Sequence, residues 1–288
     1  MGFIGVLKKR IRPKDPRKEL KKLLADFELP HFPKVAMYIL EGLRDPNVPV
    51  PEIARRVALD PAIHLKVLKT VNSAAFGLPK QVTNIEHAVA LLGRARLESL
   101  ILPLAVRETL PNFRAACLNQ ELFWLAGARR AILARQLAHL LNPQHHVEAF
   151  SAGLLQDMAI PVIMHLKEKV YCPTLETWNV EKEVRLDELE RRELGFDHQA
   201  IGRLMAEEWN LPDYLVQAVS AHHSFAEDLD PAIYLVSHLR YQEDPSESPE
   251  AEIIVEEAHS RFNLNKDIVR SMLKKTYAEA EELARIFL

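Results

Sequence analysis

The chain has 288 residues, 48% of them hydrophobic and 27% charged. That balance belongs to a folded chain with a sizeable core, and it excludes a disordered, collagen-like or disulfide-stapled protein. The net charge of −3 gives no general field for polyanions, although residues 1–22 hold nine Lys or Arg against Asp15 and Glu19.

The basic arm comes first. Phe3, Ile4, Val6 and Leu7 precede Lys8, Lys9, Arg10 and Arg12, so the charges follow an apolar stretch too short for a secretory signal. A frayed, solvated terminus is its plain reading, and weak contact with an acidic membrane face is its functional one. Beyond the arm, helical periodicity dominates and strand alternation is nearly absent. Ile53, Ala54, Val57 and Ala58 make an apolar stripe, and Asp60-Pro61 reads as an N-cap followed by proline at the first helical position. Ile63, Val67, Leu68 and Val71 give the next helix its buried face.

These two helices, over 51–71, imitate a helix-turn-helix. An acid at the tip of the second helix and only Lys66 and Lys69 as basic contacts favour ordinary packing over DNA reading. Thr83-Asn84-Ile85-Glu86 predicts a capping box, opening a helix that ends at Gly93, with another over 94–107. Residues 108–119 loosen the pattern. Further helices are predicted over 121–141, 147–165, 198–209, 212–223, 231–241 and 251–287, with Asp197 and Asp230 as caps. Residues 242–257 carry seven acids and no base, which reads as a solvated linker.

Cys117 and Cys172 stand far apart without a CxxC partner. That predicts two separate thiols in a reducing cytoplasm and excludes a cysteine zinc site. Apolar runs near 100–106 and 159–164 are broken by proline and fall short of the ~20 residues of a membrane span. The expectation is a soluble, cytoplasmic protein. Walker A, GxGxxG, GxSxG and HExxH motifs are all missing from the chain.

Asp157, His198, His222, His223 and His238 fall on predicted inner helix faces. Imidazoles and a carboxylate gathered from separate helices are what a hydrolytic metal centre requires. Taken singly, each is better read as a hydrogen-bonded residue at a helix end.

Several longer motifs accompany them: Leu29-Pro30-His31-Phe32-Pro33, Asp60-Pro61-Ala62, Val71-Asn72-Ser73-Ala74 with Phe76-Gly77, Gly153-Leu154-Leu155-Gln156-Asp157, Gly195-Phe196-Asp197-His198, Trp209-Asn210-Leu211-Pro212 and His222-His223. Together they resemble the HDOD domain, the HD-related output domain of bacterial signalling proteins, over roughly residues 23–240. The resemblance implies an all-α fold of two lobes. The N-terminal helical lobe would span 23–115 and the HD-like lobe 116–240, with an acidic linker and C-terminal helices over 241–288.

It also bears on chemistry. Catalytic HD phosphohydrolases, including the HD-GYP enzymes, use a first His, a His-Asp pair, further His residues and a closing Asp. Here the first His falls near Ala126, Gln156 replaces the His beside Asp157, the closing Asp falls around His238, and there is no GYP triplet. The resemblance therefore implies a degenerate centre with no metal, no cofactor and no catalysis, leaving Asp157, His198, His222, His223 and His238 as a remnant set for a ligand. The expected function is a non-catalytic regulatory module that binds a regulatory protein partner or a small signalling ligand, with nucleic acid disfavoured. The alternatives are a residual metal-dependent phosphohydrolase acting on a nucleotide or cyclic dinucleotide, and a helix-turn-helix DNA regulator.

Overall fold

In a computed structural model the described residues are 31–288 apart from 114, 182–183, 226–228 and 242–247. The basic arm with its membrane reading, Leu29 and Pro30, and part of the acidic linker lie outside them. Thirteen α-helices occur among the described residues. They are α1 Lys34–Arg44, α2 Val50–Ala58, α3 Pro61–Val71, α4 Ile85–Thr109, α5 Gln120–Leu141, α6 His146–Leu155, α7 Ile160–Val180, α8 Leu186–Leu194, α9 His198–Glu208, α10 Asp213–Ala221, α11 Pro231–Val236, α12 Pro249–Phe262 and α13 Lys266–Phe287. The β structure among these residues is a single isolated bridge, Ala115 to Leu118. The all-α expectation holds.

Local chemistry sets many of the helix starts. Asp60 accepts the amides of Ala62 and Ile63 at 2.9 and 3.0 Å, which consumes the acid at the tip of α3. Lys66, on the same helix, pairs with Glu108 at 2.5 Å. Asp197 and Asp230 cap α9 and α11 in the same way. The cap of α4 is Asn84 rather than Thr83, because its side chain accepts from the His87 amide at 2.7 Å. Gly93, with φ of +73°, breaks α4 into two straight pieces, as its position in the sequence suggests.

Two long predicted helices are divided in the structure. The 147–165 segment stops at Leu155, turns through Gln156–Ala159, and restarts as α7 with Pro161 in its first turn. The 251–287 segment breaks at Asn263, whose left-handed backbone ends α12 before Asn265 caps α13. The 143–180 stretch is apolar enough to cross a membrane, but 89% of its apolar window is buried within the protein, so here it is core.

The core is organised around α5. Ala126, Gly127, Ala128, Ala131, Ala134 and Ala138 give this helix a thin profile, and it is buried on almost every side. Helices α6, α11 and α13 pack directly on it, while α4 packs on α1, α2, α3 and α6. The C-terminal helix is part of this body: Phe287 stacks on Trp124 with ring centroids 5.5 Å apart. Trp178 and Trp209 are buried as well. Cys117 and Cys172, expected as separate thiols, form a disulfide with Cα atoms 5.3 Å apart, because the loop before α5 lies against α7. Their separation of 55 residues conceals that proximity.

A tight backbone contact lies between α5 and α6. A Cβ added at Gly153 would come within 2.8 Å of the Arg130 carbonyl oxygen, a backbone atom that cannot rotate away. Gly153→Ala should therefore lose about 1–3 kcal/mol despite alanine's better helix propensity. Urea unfolding checks this, and an unchanged midpoint would show that the two helices have room to separate.

Candidate metal and ligand site

The site forms where four helix ends meet α5. Asp157 sits in the turn after α6, where the chain reverses into α7. His198 is the first residue of α9; Gly195, with φ of +79°, ends α8 and lets Asp197 cap the next helix. His222 and His223 lie in the turn after α10. Together Asp157, His198, His222 and His223 bring one ligand atom each within 4.8 Å of all the others. Helix ends, not faces, supply all four.

The shorter separations are the informative ones. The Nε2 atoms of His198 and His222 are 3.1 Å apart, as are those of His223 and His198. Asp157 Oδ1 lies 3.2 Å from His222 Nε2 and 3.5 Å from His198 Nε2. Outer partners orient the rings. The backbone N–H of His198 and its Nδ1–H both donate to Glu190 Oε2, at 2.8 and 2.6 Å. The Tyr171 hydroxyl donates to Glu190 Oε1 at 2.5 Å, and the Nδ1–H of His222 donates to the Ala218 carbonyl at 3.0 Å. These bonds direct both Nε2 atoms inward.

Two inward lone pairs 3.1 Å apart repel unless a cation lies between them. A second proton on His198 meets that need. Burial works against its charge, but the Glu190 carboxylate, with Asp157 and Asp197, raises the pKa of His198 to about 9. Burial lowers His222, and burial together with the neighbouring imidazoles holds His223 well below the usual histidine range. Asp157 stays ionised against its own burial because Arg130, His222 and His198 hold its pKa well below the usual carboxylate range.

A single divalent metal would also meet the need. Four donors, each about 2.0 Å from a tetrahedral centre, are separated by about 3.3 Å. Four of the six separations, 3.1 to 3.5 Å, match that spacing, and all six lie within 4.8 Å. Three imidazoles and a carboxylate suit zinc or iron, and the carboxylate behind His198 is the usual outer support of a metal-bound imidazole. One metal fits. A second does not, because Asp157 Oδ2 is held by the Arg130 guanidinium and the Tyr241 hydroxyl. Arg130 also donates to the Leu239 carbonyl at 2.6 Å.

The remaining sequence expectations are placed as follows. His238 lies outside the cluster, with its ring edge-on to Tyr234 and its centroid 5.3 Å away. At that end of the chain the residue touching Asp157 is Tyr241, three positions on. The residue of α5 that reaches the site is Arg130, one helical turn past Ala126. Gln156 turns to α11, where its amide donates to the Ile233 carbonyl at 2.6 Å. Sequence reasoning missed Arg130, Tyr241, Glu190 and Tyr171. For Arg130 a signal existed, since Arg129-Arg130 interrupts the run of small apolar residues in α5, and an arginine buried there needs a carboxylate.

The HDOD domain model matches residues 29–225, well over half of the chain. The chain belongs to the HDOD family. Solved structures carry the same fold. A Shewanella amazonensis SB2B protein inferred to be a phosphohydrolase matches with a TM-score of 0.73 and 21% identity, over 93% of this chain and 97% of that one. An HDOD domain protein of unknown function from Geobacter sulfurreducens matches with a TM-score of 0.69 and 19% identity, over 95% and 97%. At these identities the likeness establishes the fold alone. An uncharacterised protein of Treponema pallidum (strain Nichols) is 24% identical over 198 residues, which is 68% of this chain and 38% of that protein's length.

Asp157 and Arg130 form the central buried ion pair, with side chains 6% and 4% exposed. Arg130→Met strands the carboxylate and should cost about 3–5 kcal/mol. Adding Asp157→Leu removes the stranded charge and should restore most of that loss, as measured by chemical unfolding of both variants. If the double variant is as unstable as the sum of its parts, the pair is not the coupling that holds this centre.

Proposed function

We propose that this HDOD protein is a non-catalytic regulatory module that acts by binding a protein partner or a small ligand. The observation that carries this reading is the division of Asp157: one oxygen faces three imidazoles and the other is held by Arg130 and Tyr241. A binuclear phosphohydrolase needs that second oxygen for a second metal, and here a permanent cation holds it.

A metal-loaded form would lead to the same reading. Asp157, His198, His222 and His223 would hold the single ion and supply four protein donors. Catalytic zinc sites keep a coordination position open for water, whereas closed four-donor sites are structural. When bound, such an ion would act as a Lewis acid for any oxygen that reached it. The surrounding protein narrows that access: His198 and His222 are fully buried and Asp157 is 4% exposed, while His223 is half-buried. The protein's own residues orient the imidazoles, neutralise the carboxylate and tie the ends of α6, α9 and α10 together.

The test combines metal content with hydrolysis. Protein purified without chelator should contain at most one equivalent of zinc, iron or manganese, lost together with His222→Ala. With manganese or zinc added it should not hydrolyse bis(p-nitrophenyl) phosphate or cyclic dinucleotides above the rate of a His198→Ala/His222→Ala control. Two equivalents of metal, or turnover abolished by that control, would overturn the reading in favour of the phosphohydrolase alternative.

A further inference from the structure

Cys117 and Cys172 are the two cysteines of the chain, and both are half-buried at the edge of the core. A folded chain of this size with so extensive a core does not need a staple. What the bond joins is more informative. Cys117 lies two residues before Asn119, the cap of α5, and Cys172 lies in the second half of α7. Helix α7 packs along α8, whereas α5 packs with α6, α11 and α13. The disulfide is therefore a covalent tie between the α7–α8 pair and the start of the central helix.

The His–Asp centre is divided between the same two sides. Arg130 of α5 holds Asp157, whereas Tyr171 of α7 and Glu190 of α8 hold His198. Tyr171 is the residue before Cys172, and it is fully buried with its hydroxyl 2.5 Å from Glu190 Oε1. Phe123 in the first turn of α5 and Trp178 in the last turn of α7 both pack on Tyr241, each with ring centroids 5.6 Å apart. Tyr241 in turn donates to Asp157 Oδ2. Both halves of the disulfide thus lead to the centre within a few residues.

Backbone bonding alone does not hold the Tyr171–Cys172 turn firmly. Lys167 leaves helical geometry, with φ of −134° and ψ of 27°, and Pro173 lacks the N–H that would bond one turn back. Residues 167–170 are exposed. The turn therefore relies on the buried Tyr171 side chain and on the bond from Cys172 to Cys117. We propose that Cys117–Cys172 is a reversible redox tie that sets how firmly Tyr171 and Glu190 hold His198. The reductant is a dithiol: one thiolate attacks a protein Sγ, the S–S bond breaks and a mixed disulfide forms. The second thiol then closes onto the first, leaving two protein thiols and a cyclic disulfide, with two electrons and two protons transferred. The Tyr171 turn loses its covalent tie to α5, and the outer support of His198 loosens.

The tie acts on the centre described above and rests on its one-metal reading only for the effect on metal binding. Amide hydrogen exchange of the full chain reads it without metal. Oxidised protein is compared with protein reduced by dithiothreitol in native buffer and with Cys117→Ser/Cys172→Ser. In the two forms without the bond, segments 168–180 and 187–198 should exchange about tenfold faster or more, while 34–71, on α1–α3, stays unchanged. Oxidised glutathione should restore the slower exchange in the reduced wild type. Zinc should bind the double-serine variant about tenfold more weakly than the oxidised chain in chelator competition. If neither form binds zinc, the one-metal reading fails, and hydrogen exchange alone decides the tie. A bond that resists dithiothreitol until urea is added overturns the proposal, as does a bond that oxidised glutathione cannot close. So does equal exchange of 168–180 and 187–198 in all three forms, or quickening that extends equally to 34–71, which marks the disulfide as a general staple.

Discussion

The centre of this protein depends on how one carboxylate is divided. Asp157 is buried in the turn between two core helices, where an uncompensated charge would cost several kcal/mol. Its Oδ2 is held by Arg130 and Tyr241, and its Oδ1 faces three imidazole nitrogens that need a cation of their own. Both oxygens are thus committed to positive charge, one permanently and one by a proton or a metal. Everything around the pair serves that division. Gly153 brings the α6 backbone against α5 beneath Arg130, the Leu239 carbonyl fixes the guanidinium, and Glu190 with Tyr171 fixes the first imidazole.

That arrangement leaves Asp157 no carboxylate oxygen free for a second metal. Gln156 donates to a helix carbonyl, so the residue beside Asp157 joins α7's entry to α11 and does not supply a ligand. On the other side of Asp157, Arg130 remains charged at all accessible pH values. The result is an electrostatic joint between α5 and the turn after α6. The price is that the joint must be complete, since an unpaired charge in so dry a place destabilises far more than the pair stabilises.

Much of the fold was legible because helix signals are local. Asp60, Asp197 and Asp230 cap their helices through amides two or three residues away, so sequence neighbours suffice to reveal them. The breaks at Gln156–Ala159 and Asn263 were not legible, because apolar periodicity runs through both and only packing decides where the chain turns. The same division holds at the site. Asp157, His198, His222 and His223 were reachable through motifs whose company resembles the family. Glu190 was hidden in the charged run 187–193, where nothing local distinguishes the one carboxylate aimed inward. His238 sits in an apolar register like the others, and its register was right for burial but wrong for the cluster. The disulfide joins cysteines whose partners in sequence carry no trace of each other.

Helix α5 carries guanidinium groups on two of its flanks. Arg130 and Arg135 are five residues apart, about 140° around a helix, so they project from different flanks of the same rod. One guanidinium enters the His–Asp joint and the other lies over the Phe76 and Phe150 rings. Both are held in a helix whose small side chains leave little freedom to bend or slide against α6. The Phe287–Trp124 stack binds the C-terminal helix to that rod. A central helix held by an ionic joint on one flank and by aromatic contacts on another fixes where its neighbouring helices sit.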